Sequence, residues 1–354
     1  MHHALFTSTH DTGITLECRP KETAVTFPPL RIGRIPHVLL AAALTATCSL
    51  PAAAQQNYPQ RPIRMYLPYG PGGVGDLTAR IVTQKVSEIL GQQIVIDNKP
   101  SAGGVQSFQA GLQAAADGYT LVQGGNGTAI TQTLVKDLPY NIVDDFTQVA
   151  VMSKFNLILT VKPDSRFHNL KELIAYAKAN PGKLSLGTTN VGSSQHLGAE
   201  LFKSVADIKA ETIPYKTSAA LLTGVRSGDI DVGFDFVPPM LSSIKSGAIR
   251  ALAIAADGRN ANLPDVPTTA ESGLDGYVVA SWNGVSIRQG TPRPIIEKLN
   301  KAFVEAVNSP EVGQKLREMN SEPYALSADE SRALMKADIA KWKAVIEKAN
   351  VPIN

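Results

Sequence analysis

The chain has 354 residues, 44% hydrophobic, 18% charged and 6% aromatic, the profile of a globular protein with room for two domains. Its 34 Lys and Arg against 31 Asp and Glu leave a net charge of +3, which makes no electrostatic case for nucleic acid or an anionic membrane surface. Two cysteines exclude a disulfide scaffold and any CxxC metal site.

The amino terminus reads as an export signal. Arg31 and Arg34 form a basic region, Val38 to Leu50 is an apolar run, and Ala52-Ala53-Ala54 supplies small residues at a cleavage point. That is the order of a Sec signal peptide, and the run is too short to span a bilayer. Thr45-Ala46-Thr47 makes a poor lipidation context for Cys48. Residues 1–30 precede the basic region without periodicity and read as an over-extended start, with Val25 or Leu30 as alternatives. Cleavage after Ala54 removes both cysteines and leaves only His168 and His196, so thiol chemistry and a His-rich metal centre are excluded. The mature protein is expected to be exported.

Strand and helix signals then alternate. Ile63–Pro68 reads as a strand, followed by a Gly-rich turn and a helix from about Asp76 to Leu90, stopped by Gly91. Strands are predicted at Gln93–Asp97 and Thr120–Gln123, with a helix at Ser107–Ala116 between them. This βαβαβ order belongs to a parallel sheet covered by helices. Phe155–Val161 is a strand, and Asn169 with Glu172 forms a capping box for a helix ending at Asn180-Pro181-Gly182. Next come strands at Leu184–Thr188, Glu211–Pro214, Ile230–Phe234 and Arg250–Ala255, with helices at Ser194–Val205, Ala219–Ser227 and Pro238–Ser246. Tyr277–Ile287 is a long return strand, and helices follow at Pro292–Asn308 and Pro310–Met319. Ser327 and Glu330 cap a final helix on which Met335, Ile339, Trp342 and Ile346 form one core-facing stripe.

Two α/β units suggest two lobes sharing a cleft, with crossings near 155–162 and 275–285 and the C-terminal helices returning to the first lobe. The expected division is 1–54 for the extension and signal peptide, 55–160 for the first part of lobe 1, 161–278 for lobe 2 and 279–354 for the return to lobe 1. Ligands in such folds sit at the carboxyl ends of strands.

Gly70 to Gly75 satisfies GxGxxG, and Asp97 ends the next strand, as in a dinucleotide fingerprint. Pro71 stiffens that turn, and an exported protein meets little NAD. The same loop reads alternatively as an anion site made by backbone N–H groups at a helix start, through Gly72, Gly73, Val74, Gly75 and Asp76. Gly192-Ser193-Ser194-Gln195-His196 is a second loop entering a helix, from the other unit. Two such helix starts facing one cleft grip both ends of a small dianion. Asn126 and Thr128, with Thr188 and Asn190, lie at other strand ends as neutral donors. Asp235, just past its strand, orients donors or meets an ammonium group. His196 lacks a nucleophile and an orienting acid, and no GxSxG elbow or carboxylate pair is present, so no catalytic residue is assigned.

Across its mature length the chain resembles the Bug-type substrate-binding proteins of tripartite tricarboxylate transporters. The matching segments are YPQRPIRMYLPYGPGGVGDLTAR at 58–80, ADGYTL at 116–121, LPYNIVDDF at 138–146 and AYAKANPGKLSLG at 175–187. GSSQHLGAELF at 192–202, IPYK at 213–216, LPDVPT at 263–268 and SWNGV at 281–285 continue the series. The resemblance implies a two-lobe α/β periplasmic-binding-protein fold with a ligand cleft between the lobes. It also implies a monomer that binds a small carboxylate without a cofactor and delivers it to membrane permease subunits. It places the ligand against Tyr69 to Asp76 and Thr188 to His196, with Tyr215 and Asp235 at cleft positions. Thr217 stands where the family usually has Gly, and Gly70-Pro71 replaces an Ala-richer stretch. An exported nucleotide-dependent oxidoreductase and a ligand sensor for a signalling partner are the alternatives.

Overall fold

The computed structural model describes residues 57–101 and 104–352. The signal-peptide reading falls on residues outside that range.

The order is β1 (Ile63–Leu67), α1 (Val74–Leu90), β2 (Ile94–Asn98), α2 (Val105–Gln113), β3 (Thr120–Gly125), α3 (Asn126–Leu134) and β4 (Phe146–Val161). It continues α4 (Leu170–Ala179), β5 (Ser185–Thr188), α5 (Ser194–Ala206), β6 (Glu211–Pro214), α6 (Ser218–Ser227), β7 (Val232–Phe236), α7 (Val237–Lys245) and β8 (Arg250–Ile254). The chain closes with β9 (Ala280–Arg288), α8 (Arg293–Asn308), α9 (Pro310–Glu318), β10 (Glu322–Pro323) and α10 (Ala328–Ala349).

The ten strands of the described residues form one sheet, eight of them in the order β2-β1-β3-β9-β4-β7-β5-β6, with β8 and β10 off that path and each paired to β4. β4 is the shared element. From Phe146 to Asn156 it runs antiparallel to β9, and from Leu157 to Thr160 it pairs with β7. Each end of it therefore belongs to a different half of the sheet, which gives the two lobes. β1 is parallel to β2 and β3 in one half, and β5 is parallel to β6 and β7 in the other. The helices that follow β1, β3, β5 and β7 consequently start at the carboxyl ends of those strands.

Both faces of each half are covered. On one face of the first half, Met65 and Leu67 pack with Val82 and Val86 of α1 and with Leu299 and Phe303 of α8. On the other, Phe108, Phe146, Met335 and Trp342 share a core that continues into the second half through Leu186, Phe202 and Phe234. A third cluster joins Leu221, Val225 and Met240 beneath α6 and α7.

Of the local readings that differ from the structure, three bear on the site. β4 begins nine residues before the expected Phe155, because a strand buried on both faces loses the polar–apolar alternation, and Ser153-Lys154 imitates a break. Asn126-Gly127-Thr128 lies at the end of β3 as expected, but it also opens a helix absent from the predicted elements, α3, whose Gly and β-branched residues are weak helix formers overruled by packing of the buried Ala129, Ile130 and Leu134. β7 is shifted by two residues, so Asp235 lies inside the strand and is fully buried rather than past its end. The final stripe is as expected, with Met335, Trp342 and Ile346 buried and Ile339 partly so. α10 nevertheless packs on α5 as well as on α3, and so touches both halves.

Candidate functional site

The first loop folds around Asp76. Its Oδ2 accepts from the Gly72 backbone N–H at 2.9 Å and from Arg80 Nε at 3.0 Å, and its Oδ1 accepts from Asn98 Nδ2 at 2.9 Å. Burial alone would raise this carboxyl, but the bonds from Arg80, Gly72 and Asn98 outweigh burial and hold it below its ordinary value. Asn98 also donates to the Tyr69 carbonyl at 2.9 Å. Gly72 has φ +85°, a conformation that a side chain would strain. Gly75 lies under the Tyr69 ring, where a Cβ would come within 2.5 Å. Arg80, Asn98 and the buried Gln123, whose Nε2 donates to the Gly75 carbonyl at 3.1 Å, were missed by the sequence reading. The Asp76–Arg80 i,i+4 spacing was the available signal.

No side chain caps α1, whose first turn at Gly73 and Val74 keeps its N–H groups for other partners. The Tyr69 hydroxyl makes no hydrogen bond among the described residues, and burial pushes it up to about 12, so it remains a donor.

The second loop is more committed. Ser193 caps α5 by accepting from His196 N at 3.1 Å, and its Oγ also meets Thr189 Oγ1 at 2.9 Å. Thr188 and Asn190 are used internally: Thr188 Oγ1 donates to Thr189 O at 2.9 Å, and Asn190 Nδ2 donates to Lys216 O at 3.4 Å. His196 Nδ1 accepts from the Gly192 N–H at 3.4 Å, and burial keeps its imidazole below the usual histidine value, against the opposing pull of Glu200. A neutral ring that folds its own loop is a positioning group.

The two halves meet at the helix starts. Ser194 Oγ donates to Asn126 Oδ1 at 3.1 Å, and Asn126 Nδ2 donates to the Ala280 carbonyl on β9 at 2.9 Å. Thr128 is buried, and its Oγ1 accepts from Gly125 N at 3.3 Å. Asp235 lies beneath α5, with Oδ1 accepting from Gln195 Nε2 at 2.9 Å and from Phe236 N at 2.8 Å. Burial raises this carboxyl, opposed by the Ser218 hydroxyl at the start of α6, by Gln195 and by Phe236.

Tyr215 N donates to the Thr188 carbonyl at 2.8 Å, which sets its backbone beside the second loop. Its hydroxyl lies against Gly224, in the second half of α6 and away from that helix's start. Thr217 has an evident use as the N-cap of α6, with Oγ1 accepting from Ala220 N at 3.1 Å. Among the described residues no group of three or more His, Cys, Asp or Glu is placed to hold a metal ion, and no helix is long and apolar enough to cross a membrane. A surface groove of about 810 Å³ lies elsewhere, between α5 and α10 around Leu201 and Val345, and shares no residue with these loops.

Two parallel half-sheets joined through shared antiparallel strands, with helix starts converging where the halves meet, define the two-lobe α/β binding-protein class. The chain belongs to the Tripartite tricarboxylate transporter family receptor family, whose model matches residues 78–351. Protein BugT of Bordetella pertussis is 32% identical over 311 residues, covering 87% of this chain and 95% of BugT. The Rhodopseudomonas palustris protein Rpa4515, solved with adipate, is 33% identical with a TM-score of 0.74, over 83% of this chain and 99% of that one. MatC of the same organism, solved with bound malate, is 28% identical with a TM-score of 0.70, over 82% of this chain and all of that one.

Proposed function

We propose that this protein is a periplasmic receptor that closes on a small carboxylate and delivers it to the permease of a tripartite tricarboxylate transporter. The observation that carries the reading is that each half contributes a helix start with free N–H groups, α1 from one and α5 from the other. α1 offers uncapped N–H groups and α5 contributes those of Ser194 and Gln195, brought to the seam by the Ser194–Asn126 bond. Helix N-termini stabilise anions without a cationic side chain. Two Rhodopseudomonas relatives were solved with adipate and with malate, both small dicarboxylates. Closure then bends the chain where β4 changes partners, between a lobe of 55–160 with 279–354 and a lobe of 161–278.

The action is binding without chemistry. His196 is neutral and committed to Gly192, and Ser194 donates to Asn126. The nucleotide alternative is weakened by Asp76, whose carboxylate already takes the Gly72 N–H in the glycine turn. Asp97 faces Lys99 Nζ at 3.6 Å.

The test is a thermal-shift screen on protein unfolded and refolded to remove bound ligand, against dicarboxylates, tricarboxylates, amino acids, aromatic acids and NAD(P). A ligand at about 100 times its Kd adds ~2.7 kcal/mol of stability. A shift with a carboxylate is expected. A shift with NAD(P) alone overturns the reading.

A further inference from the structure

We infer that Gln195 is a fixed hydrogen-bond acceptor in this site, and that the carboxylate recognised carries a hydrogen-bond donor, a hydroxyl or an ammonium group. The inference rests on the carboxylate-receptor reading above and narrows its ligand.

Gln195 is the second residue of α5, next to Ser194, which makes the contact between the two halves. A glutamine amide facing water or a hydroxyl can turn either end outward. Gln195 has no such freedom. Its partner, Asp235 Oδ1, also accepts the backbone N–H of Phe236 at 2.8 Å, and a backbone N–H only donates. Oδ1 is therefore an acceptor whether or not Asp235 is ionised. A proton, when present, sits on Oδ2, which is buried and makes no hydrogen bond of good geometry among the described residues. Gln195 must turn its NH2 group toward Oδ1, where Nε2 lies at 2.9 Å.

The carbonyl Oε1 is what remains. Gln195 is half-buried, and among the described residues nothing donates to Oε1, which is not sealed from solvent. Donation from the amide into the buried acceptor polarises the group and strengthens Oε1 as an acceptor. The site proposed above supplies mostly donors, namely the N–H groups of the two helix starts and the Tyr69 hydroxyl. A plain dicarboxylate brings only acceptors, which suit those donors and leave Oε1 dehydrated without a partner on closure. A 2-hydroxy or 2-amino acid satisfies both. Sites built around a polar group reject analogues that lack its complement far more strongly than apolar pockets reject a missing methylene.

The experiment measures Kd by calorimetry on the stripped full-length protein, with acids in matched lengths. The series are succinate, malate and aspartate; glutarate, 2-hydroxyglutarate and glutamate; and adipate with its 2-hydroxy and 2-amino forms. In the length that binds, one or both substituted acids are expected to bind at least about tenfold more tightly than the plain acid. Gln195→Leu should bring the ratio near one. Asp235→Asn keeps an acceptor oxygen opposite the Phe236 N–H, so the ratio should survive in it. The hydroxy and amino arms identify which donor is read.

Equal binding of plain and substituted acids by the wild type, a preference that survives Gln195→Leu, or a preference abolished in a folded Asp235→Asn protein would each overturn the inference and leave the receptor reading intact. No binding of any acid would overturn both.

Discussion

Asn126 and Ser194 join the two halves of the molecule through a buried hydrogen bond of 3.1 Å between the first residue of α3 and the first residue of α5. The Ala280 carbonyl takes the Asn126 amide N–H at 2.9 Å, which fixes the other end of that amide toward Ser194. The serine hydroxyl is thereby committed as a donor to its neighbour.

This arrangement sets an order of mutational costs. Ser194→Ala strands one acceptor, Asn126 Oδ1, and should cost about 1 kcal/mol, whereas Asn126→Ala strands both the Ser194 hydroxyl and the Ala280 carbonyl and should cost ~2–3 kcal/mol. Urea unfolding of both single variants and the double variant checks this. A coupling of at least ~0.5 kcal/mol is expected because the residues share the bond. Strictly additive losses would show that the contact contributes nothing to holding the halves together.

Two buried aspartates give the stability opposite pH dependences. Asp76 is held below its ordinary value, so its contribution is fully present above the unfolded value of about 3.9 and is lost as pH falls through the lower folded value. Asp235 is raised by burial, so its contribution is present below about 3.9 and is lost as pH rises through the higher folded value. Asp235→Asn should therefore gain stability relative to wild type as pH climbs from about 4. Asp76→Asn should show its full deficit relative to wild type above that value, and the deficit should shrink as pH falls below it. Urea midpoints measured between pH 3 and 7 distinguish the two trends, and parallel curves for all three proteins would refute them.

Much of the fold was legible because its signals were local. The Asn169 cap holds as read, with Oδ1 accepting from Glu172 N at 2.9 Å. Glu172 reaches back one residue further than a capping box requires, to the His168 N–H at 2.7 Å. The elements misplaced in the sequence are those decided by tertiary contact. β4 has no alternation because both of its faces are covered, and α3 opens with Asn126-Gly127, which by propensity is a turn. The loop residues could be named from glycine and serine patterns, but their division of labour could not. Nothing in the order Gly72, Asp76, Arg80, Asn98 announces that one carboxylate gathers three partners, since Asn98 comes from the next strand.

The Tyr69 ring over Gly75 provides a probe of the first loop. Gly75→Ala puts a methyl carbon within 2.5 Å of that ring, so the ring must move and take its hydroxyl with it. The expected result is an about tenfold weaker carboxylate affinity, ~1.4 kcal/mol, with little change in the thermal midpoint, because Gly75 is only half-buried at the start of α1. Calorimetry beside thermal unfolding separates these effects. Unchanged affinity would remove Tyr69 from the site.

Trp342 tests the role of α10. It is fully buried with Met335 and Ile346 on a helix that touches both α3 and α5, behind the helix starts that meet at Asn126 and Ser194. Trp342→Ala should cost about 3–5 kcal/mol through lost transfer energy and the cavity left behind. The indole Nε1 makes no hydrogen bond among the described residues, so Trp342→Phe forfeits volume but no polar partner. Its cost should stay near ~1–2 kcal/mol. Trp342 lies on α10, outside both loops, so Trp342→Phe should bind carboxylate with wild-type affinity at temperatures where it is fully folded. A Trp342→Phe protein that is folded but tenfold weaker in binding would show that α10 sets the relative placement of α3 and α5, and would extend the functional site to the far face of the sheet.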